Sequence, residues 1–138
     1  MLPQPRLPLA VPRDVRKATA AALGAVRRGE RPPADALDAL NRAQLDAPAV
    51  RGLAWDGTAV TAVRHRAGAT LGQRVAGWLA EAAAELLSGP DAGRVRECEA
   101  PDCVLLFVPA HPRRRWCSAS RCGNRTRVAR HYARRKEA

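Results

Sequence analysis

The sequence predicts an α+β protein, mainly helical: a helical N-terminal region with a β-hairpin, followed by a small four-cysteine module that ends in a basic helix. Three observations carry this. Apolar residues recur at helical spacing over three stretches before residue 90, an Asp-Gly dipeptide sits between strand-favouring residues, and all four cysteines fall in two equally spaced pairs ahead of a cation-rich tail.

At 138 residues the chain suits one domain, or one domain with a small appended module. The apolar fraction is 46%, but much of it is alanine, and aromatic residues make up only 4% of the chain, so a light core is expected. No apolar run approaches the roughly 18 residues of a membrane span. The first dozen residues carry prolines at 3, 5, 8 and 12 and no uninterrupted apolar segment of the signal-peptide kind, so a cytoplasmic location is expected. Residues 1–13 read as an extended or disordered lead-in.

Asp14 offers an N-cap for a helix over 15–28, with Val15, Ala18, Ala22 and Val26 on one face and Gly29 to end it. After the break at Pro32 and Pro33, a second helix over 34–45 carries a narrow stripe of Leu37, Leu40 and Leu45, and the two are expected to pair. Residues 50–55 and 58–64 then read as a β-hairpin, with Asp56-Gly57 as a two-residue type I′ turn. His65 at its end reads as a solvated loop histidine. A third helix over 70–87 places Leu71, Val75, Trp78, Leu79, Ala82 and Leu86 on one broad apolar face. Ser88-Gly89-Pro90 stops it, and the region 14–93 gives way to the cysteine module, 94–138.

In that module Cys98-x4-Cys103 and Cys117-x4-Cys122 are separated by thirteen residues. Two matched pairs of thiols suit one tetrahedral zinc, held by two short knuckles. Two disulfides are the alternative and need an oxidising compartment. Residues 104–108 form an apolar run of strand type, expected to pack beneath the site. Arg113, Arg114, Arg115 and Trp116 return the chain to Cys117, and Ser118 caps a helix over 119–136 whose first turn carries Cys122. At 100° per residue, Cys122, Thr126, Ala129 and Ala133 share the side facing metal and core, while Arg127, Arg130, His131, Arg134 and Arg135 spread over the other.

The net charge is +11, and its location matters more than its size. Residues 94–138 hold 12 Lys and Arg against 4 Asp and Glu, a balance of +8; residues 1–93 hold 12 against 9, a balance of +3. Cations clustered without interleaved acids favour a polyanion partner over a merely solvated face.

The run Arg114-Arg115-Trp116-Cys117-Ser118, then Cys122-Gly123-Asn124-Arg125, then a basic tail with His131-Tyr132-Ala133-Arg134-Arg135, resembles the CGNR zinc finger of bacterial proteins whose N-terminal region is called ABATE. The upstream helix pair, short hairpin and long helix resemble that region more loosely. The resemblance implies Cys98, Cys103, Cys117 and Cys122 as zinc ligands, and a stress-induced transcription regulator that binds DNA. Relatives carry an Asp and a Ser between the positions of Phe107 and Arg114, where this chain has Val108-Pro109-Ala110-His111-Pro112. They also begin with a further stretch containing a Phe-x-Asn-Thr-like strand that this sequence does not match, so the chain reads as N-terminally shortened or as one whose start is misassigned.

The leading expectation is a regulator whose basic helix contacts double-stranded DNA through Arg113, Arg114, Arg115, Arg125, Arg127, Arg130, Arg134 and Arg135. Its N-terminal region would sense a small-molecule effector or form a homodimer. An RNA-binding zinc module and a zinc-stabilised protein-interaction module are the alternatives. An enzyme is not expected, since four thiolates leave zinc no open position for water. His111, between the knuckles, is the one other side chain placed to compete as a ligand.

Overall fold

The computed structural model describes residues 10–67 and 70–136. The chain divides into two compact units, with the border between Gly89 and Pro90. The first holds α1 (Ala10–Arg27), α2 (Ala34–Asp46), β1 (Ala49–Trp55), β2 (Val60–Arg66) and α3 (Leu71–Ser88); the second holds β3 (Arg96–Glu97), β4 (Leu106–Phe107) and α4 (Asn124–Lys136).

Helix α1 starts earlier than expected, so Asp14 lies inside it and Ala10–Pro12 are helical, not part of an extended lead-in. Pro12 is tolerated because the first-turn N–H groups have no intrahelical acceptor. The remainder of the expected lead-in, residues 1–9, lies outside the described residues. The far end follows the Schellman pattern. Gly29, at φ +70°, lets its own N–H bond the Val26 carbonyl and the Glu30 N–H bond the Ala25 carbonyl at 2.9 Å. Helix α3 opens with a capping box, Thr70 Oγ1 accepting from the Gln73 N–H while Gln73 Oε1 accepts from the Thr70 N–H.

The three helices pack on one another through small residues. Their common core is Val15, Ala18 and Ala22 of α1, Ala36, Leu40 and Ala43 of α2, and Ala76, Ala80 and Ala83 of α3. This corrects two expectations. On α2 the buried stripe is Ala36, Leu40 and Ala43, with Leu37 at the surface and Leu45 78% exposed. On α3 the buried face is Gly72, Ala76, Gly77, Ala80 and Ala83, while Leu71, Trp78 and Leu79 are exposed. Facing alanines let the helices approach more closely than large side chains would, and close backbone approach is where an alanine core gains its dispersion energy.

The hairpin is antiparallel, with Trp55 opposite Val60 and Ala49 opposite Arg66. Its loop is therefore 56–59, four residues and not the two-residue type I′ turn. Asp56 Oδ1 accepts from the Thr58 and Ala59 N–H groups, both at 2.8 Å, the Asp56 N–H bonds the Ala59 carbonyl, and Gly57 takes φ +105°. At the hairpin's base Glu81 of α3 pairs with both Arg64 and Arg66, and Arg66 also donates to the Ala47 carbonyl at 2.7 Å. Towards the tip Leu53, Trp55 and Val60 are largely exposed. His65 lies beside Gly52, its imidazole about 3.1 Å from where a β-carbon on that glycine would sit.

Candidate metal centre and basic helix

The two short strands pair antiparallel, Arg96 opposite Phe107 and Glu97 opposite Leu106, and deliver the first knuckle. Within it the Cys98 N–H donates to the Leu105 carbonyl at 3.0 Å and the Cys103 N–H to the Ala100 carbonyl at 3.2 Å, with Asp102 at φ +61° making the reversal. Of the second pair, Cys117 precedes and Cys122 lies within a π-type turn, Ala119–Gly123, that runs straight into α4. The expected helix over 119–136 is thus a wide turn over 119–123 followed by a regular helix. Ser118 caps it as expected, its hydroxyl accepting from the Arg121 N–H at 3.2 Å.

These two pieces gather all four cysteines. Their sulfurs lie within 4.8 Å of one another, with Cys98 and Cys122 buried and Cys103 and Cys117 half-buried. Cys103 and Cys117 are 3.8 Å apart, Cys117 and Cys122 3.6 Å, and Cys103 and Cys122 3.8 Å. Four sulfurs about 2.3 Å from a common zinc in a tetrahedron would be about 3.8 Å apart, so the set fits that ion. A disulfide needs about 2.05 Å, and all four cysteines are free thiols.

Their acid–base character agrees. Burial resists ionisation of Cys98, but N–H groups from Cys117 and Ala100 and the adjacent thiols outweigh it and hold its pKa at about 7. Cys122 is pushed up to about 12 by its hydrogen bond to Cys117 and by burial, and Cys117 is pushed up chiefly by burial. Thiols this close cannot all ionise unaided; a divalent cation supplies the compensating charge. The Cys117 N–H, 3.3 Å from Cys98 Sγ, is the backbone donor that such a thiolate takes. His111 is exposed, lies outside the thiol cluster, and accepts the Arg113 N–H through Nδ1 at 3.2 Å.

Several arginines hold this module together. Arg114 donates to the Trp116 and Cys117 carbonyls at 3.0 and 2.5 Å and lies over the Phe107 ring, 5.3 Å from its centroid. Arg115 pairs with Glu99 at 2.6 Å and stacks against Trp116. Arg125 reaches back to the Pro101 carbonyl at 3.0 Å and so ties the helix to the first knuckle. Arg127 bonds the Gly123 carbonyl and Asn124 Oδ1. Among the described residues the side chains of Arg113, Arg121, Arg130 and Arg135 make no hydrogen bond or ion pair, while Arg134 reaches only the Arg130 carbonyl at 3.4 Å.

Two expectations are corrected here. Thr126 is buried and bonds the Cys122 carbonyl at 2.9 Å, but Ala129 and Ala133 are exposed: from residue 127 to 136 every position of α4 faces solvent. Of α4, only the first turn, through Thr126, is buried against the metal module. The run 104–108 does not pack beneath the site either; Val104 is 85% and Leu105 58% exposed, and only Phe107 joins the buried cysteines. Strand-like composition described this run, and hydropathy alone gave no sign that a knuckle would turn its tip outward.

Among the described residues no helix is long and apolar enough to cross a membrane. No curated protein matches the chain. Two family models do. The CGNR zinc finger covers residues 94–135, and ABATE, described as "Putative stress-induced transcription regulator", covers residues 4–90. With the four-thiol cluster this makes the chain a zinc-binding protein of a regulator family, of a kind suggestive of nucleic-acid binding. The chain belongs to the ABATE family and carries a CGNR zinc finger behind its ABATE region.

Proposed function

We propose that this protein is a zinc-dependent DNA-binding regulator acting in the cytoplasm, where its thiols stay reduced. Cys98, Cys103, Cys117 and Cys122 ligate one zinc, and α4 lies against the phosphate backbone of a duplex. Arg113, Arg127, Arg130, Arg134 and Arg135 pair with phosphates; Arg114, Arg115 and Arg125 act mainly by bracing the module.

One observation supports this most. Helix α4 carries six Arg and Lys and no acid, and beyond Thr126 all its faces are exposed. A cation-rich helix that repels itself and buries no face beyond its first turn gains little from a core, whereas a polyanion neutralises it and orders it. Its 13 residues span about 20 Å, enough to run along several phosphates. The ABATE unit is assigned to self-association, on the exposed Leu53, Trp55 and Val60 of its hairpin.

The reading is tested by titrating the zinc-loaded chain with duplex DNA at several salt concentrations, in competition with single-stranded RNA. Affinity should fall steeply with salt. Replacing Arg127, Arg130 and Arg134 with Ala should flatten the log–log slope by about 0.9 for each phosphate left without its arginine. Affinity that ignores those substitutions, or a preference for the RNA, removes the assignment.

A further inference from the structure

We propose that the tip of the first knuckle, Val104 and Leu105, is an apolar wedge that enters the minor groove of the bound duplex and unstacks a base step. It rests on the DNA-binding reading above and adds to it a deformation of the DNA.

The tip is exposed, rigid and set among cations. Val104 is 85% and Leu105 58% exposed, in the part of the chain where cations outnumber acids three to one. Their backbone is pinned on both sides: Cys103 is one of the clustered thiols, and the Leu105 carbonyl takes the Cys98 N–H at 3.0 Å. Arg125, which bonds the Pro101 carbonyl, fixes the knuckle to the start of α4. The tip therefore cannot fold back over its own module without breaking the hydrogen bonds that shape the metal site.

The surroundings choose the occupant. Val104 and Leu105 line one shallow concavity with Arg121 and Arg125; Asp102 is the only acid in it. Arg121 has no side-chain partner among the described residues. A surface evolved only for solubility has no use for two exposed aliphatics beside arginines, and a neutral protein partner has none for the arginines. A duplex uses both, because phosphates flank each groove and aliphatic side chains inserted at a base step hold it open. An apolar wedge also needs the rigidity that zinc-anchored backbone provides, since a mobile tip would lose the ordering entropy on entry.

The test uses the full zinc-loaded chain and a closed circular plasmid relaxed by a topoisomerase in its presence, because untwisting at unstacked steps shifts the topoisomer distribution whatever the sequence bound. The native protein should shift it. V104S/L105S should keep zinc and the salt slope of DNA binding, bind roughly tenfold more weakly or worse, and lose the shift. V104F, a larger wedge, should retain it. DNA binding without a topoisomer shift overturns the wedge and leaves the regulator reading standing. A serine variant that lowers the melting temperature but leaves the shift unchanged also overturns it, because the tip would then be covered within the protein. Absence of DNA binding at any salt concentration sinks both readings.

Discussion

Gly77 of α3 and Ala47, just past the end of α2, meet backbone to backbone: a β-carbon on residue 77 would lie 2.9 Å from the Ala47 carbonyl oxygen and 3.1 Å from that of Ala43. No side chain can turn away from backbone atoms on two sides. This approach fixes how near α2 and α3 come to each other, and the same Ala47 carbonyl receives Arg66 from the base of the hairpin.

Gly77→Ala should therefore destabilise the first unit, although alanine is the better helix former. Overpacking costs about 1–3 kcal/mol, which exceeds the gain of under about 1 kcal/mol from propensity. Gly24→Ala in α1 is the matched control. There a β-carbon would meet only the flexible end of Arg28 at 3.4 Å, so stability should rise by about 0.5–1 kcal/mol. Thermal melts of the two variants should move in opposite directions; a shift of the same sign in both would refute the close packing.

Glu81 is the second joint of this unit, since one carboxylate holds both arginines at the hairpin's base. Arg66 is mostly buried, so Glu81→Ala leaves a guanidinium half-satisfied on the Ala47 carbonyl. We expect a loss of about 1–3 kcal/mol, and amide exchange in β1 and β2 to quicken more than in α1 and α2. Uniform quickening across the whole unit would mean that Glu81 supports the helical core and not the hairpin.

Most helix positions, the hairpin and the cysteine module were legible in the sequence because each has a local cause: a capping Ser118, a terminating Gly29, an Asp-Gly, two pairs of thiols. Which face of α3 is buried was not. Hydropathy weighs side-chain size, so it favours Leu71, Trp78 and Leu79, whereas burial here is decided by how near α1 and α2 come, and only Gly77 and the alanines permit that distance. The loop length of the hairpin was hidden for a similar reason. Asp56 can serve a two-residue turn or, with its carboxylate turned onto Thr58 and Ala59, a four-residue one. At the metal site residue types identified the thiols, but the partners of Arg114, Arg115 and Arg125 depend on groups brought close only by the fold.

Removing the metal should separate the two units energetically. The second has a buried cluster of little more than Cys98, Ala100 and Cys122 with Phe107 and Trp116 against it, too small to fold unaided. A strong chelator should abolish amide protection around residues 96–107 and 117–136 while α1, α2 and α3 keep theirs. Cobalt substitution should give the spectrum of four thiolates, and Cys117→Ser should remove one. Protection of α4 that persists in the chelator would mean that the helix does not depend on the site.

The four residues that give the finger its name act as one bracket, and Gly123 is its most constrained member. Cys122 supplies a thiol, Asn124 accepts from Arg127 at 3.1 Å, and Arg125 ties the helix to Pro101. Gly123 lies beneath Trp116, where a β-carbon would sit 3.2 Å from the indole. The ring cannot retreat freely, because it packs on the buried cysteines and Arg115 stacks against it. Gly123→Ala should thus cost about 1–2 kcal/mol, seen as weaker zinc retention against a competing chelator and a changed Trp116 environment. The larger Gly123→Val should cost more, and Asn124→Ala, which removes only the bond to Arg127, less. If Gly123→Ala holds zinc as tightly as the native chain, the indole is free to move and the ring is not part of what shapes the metal site.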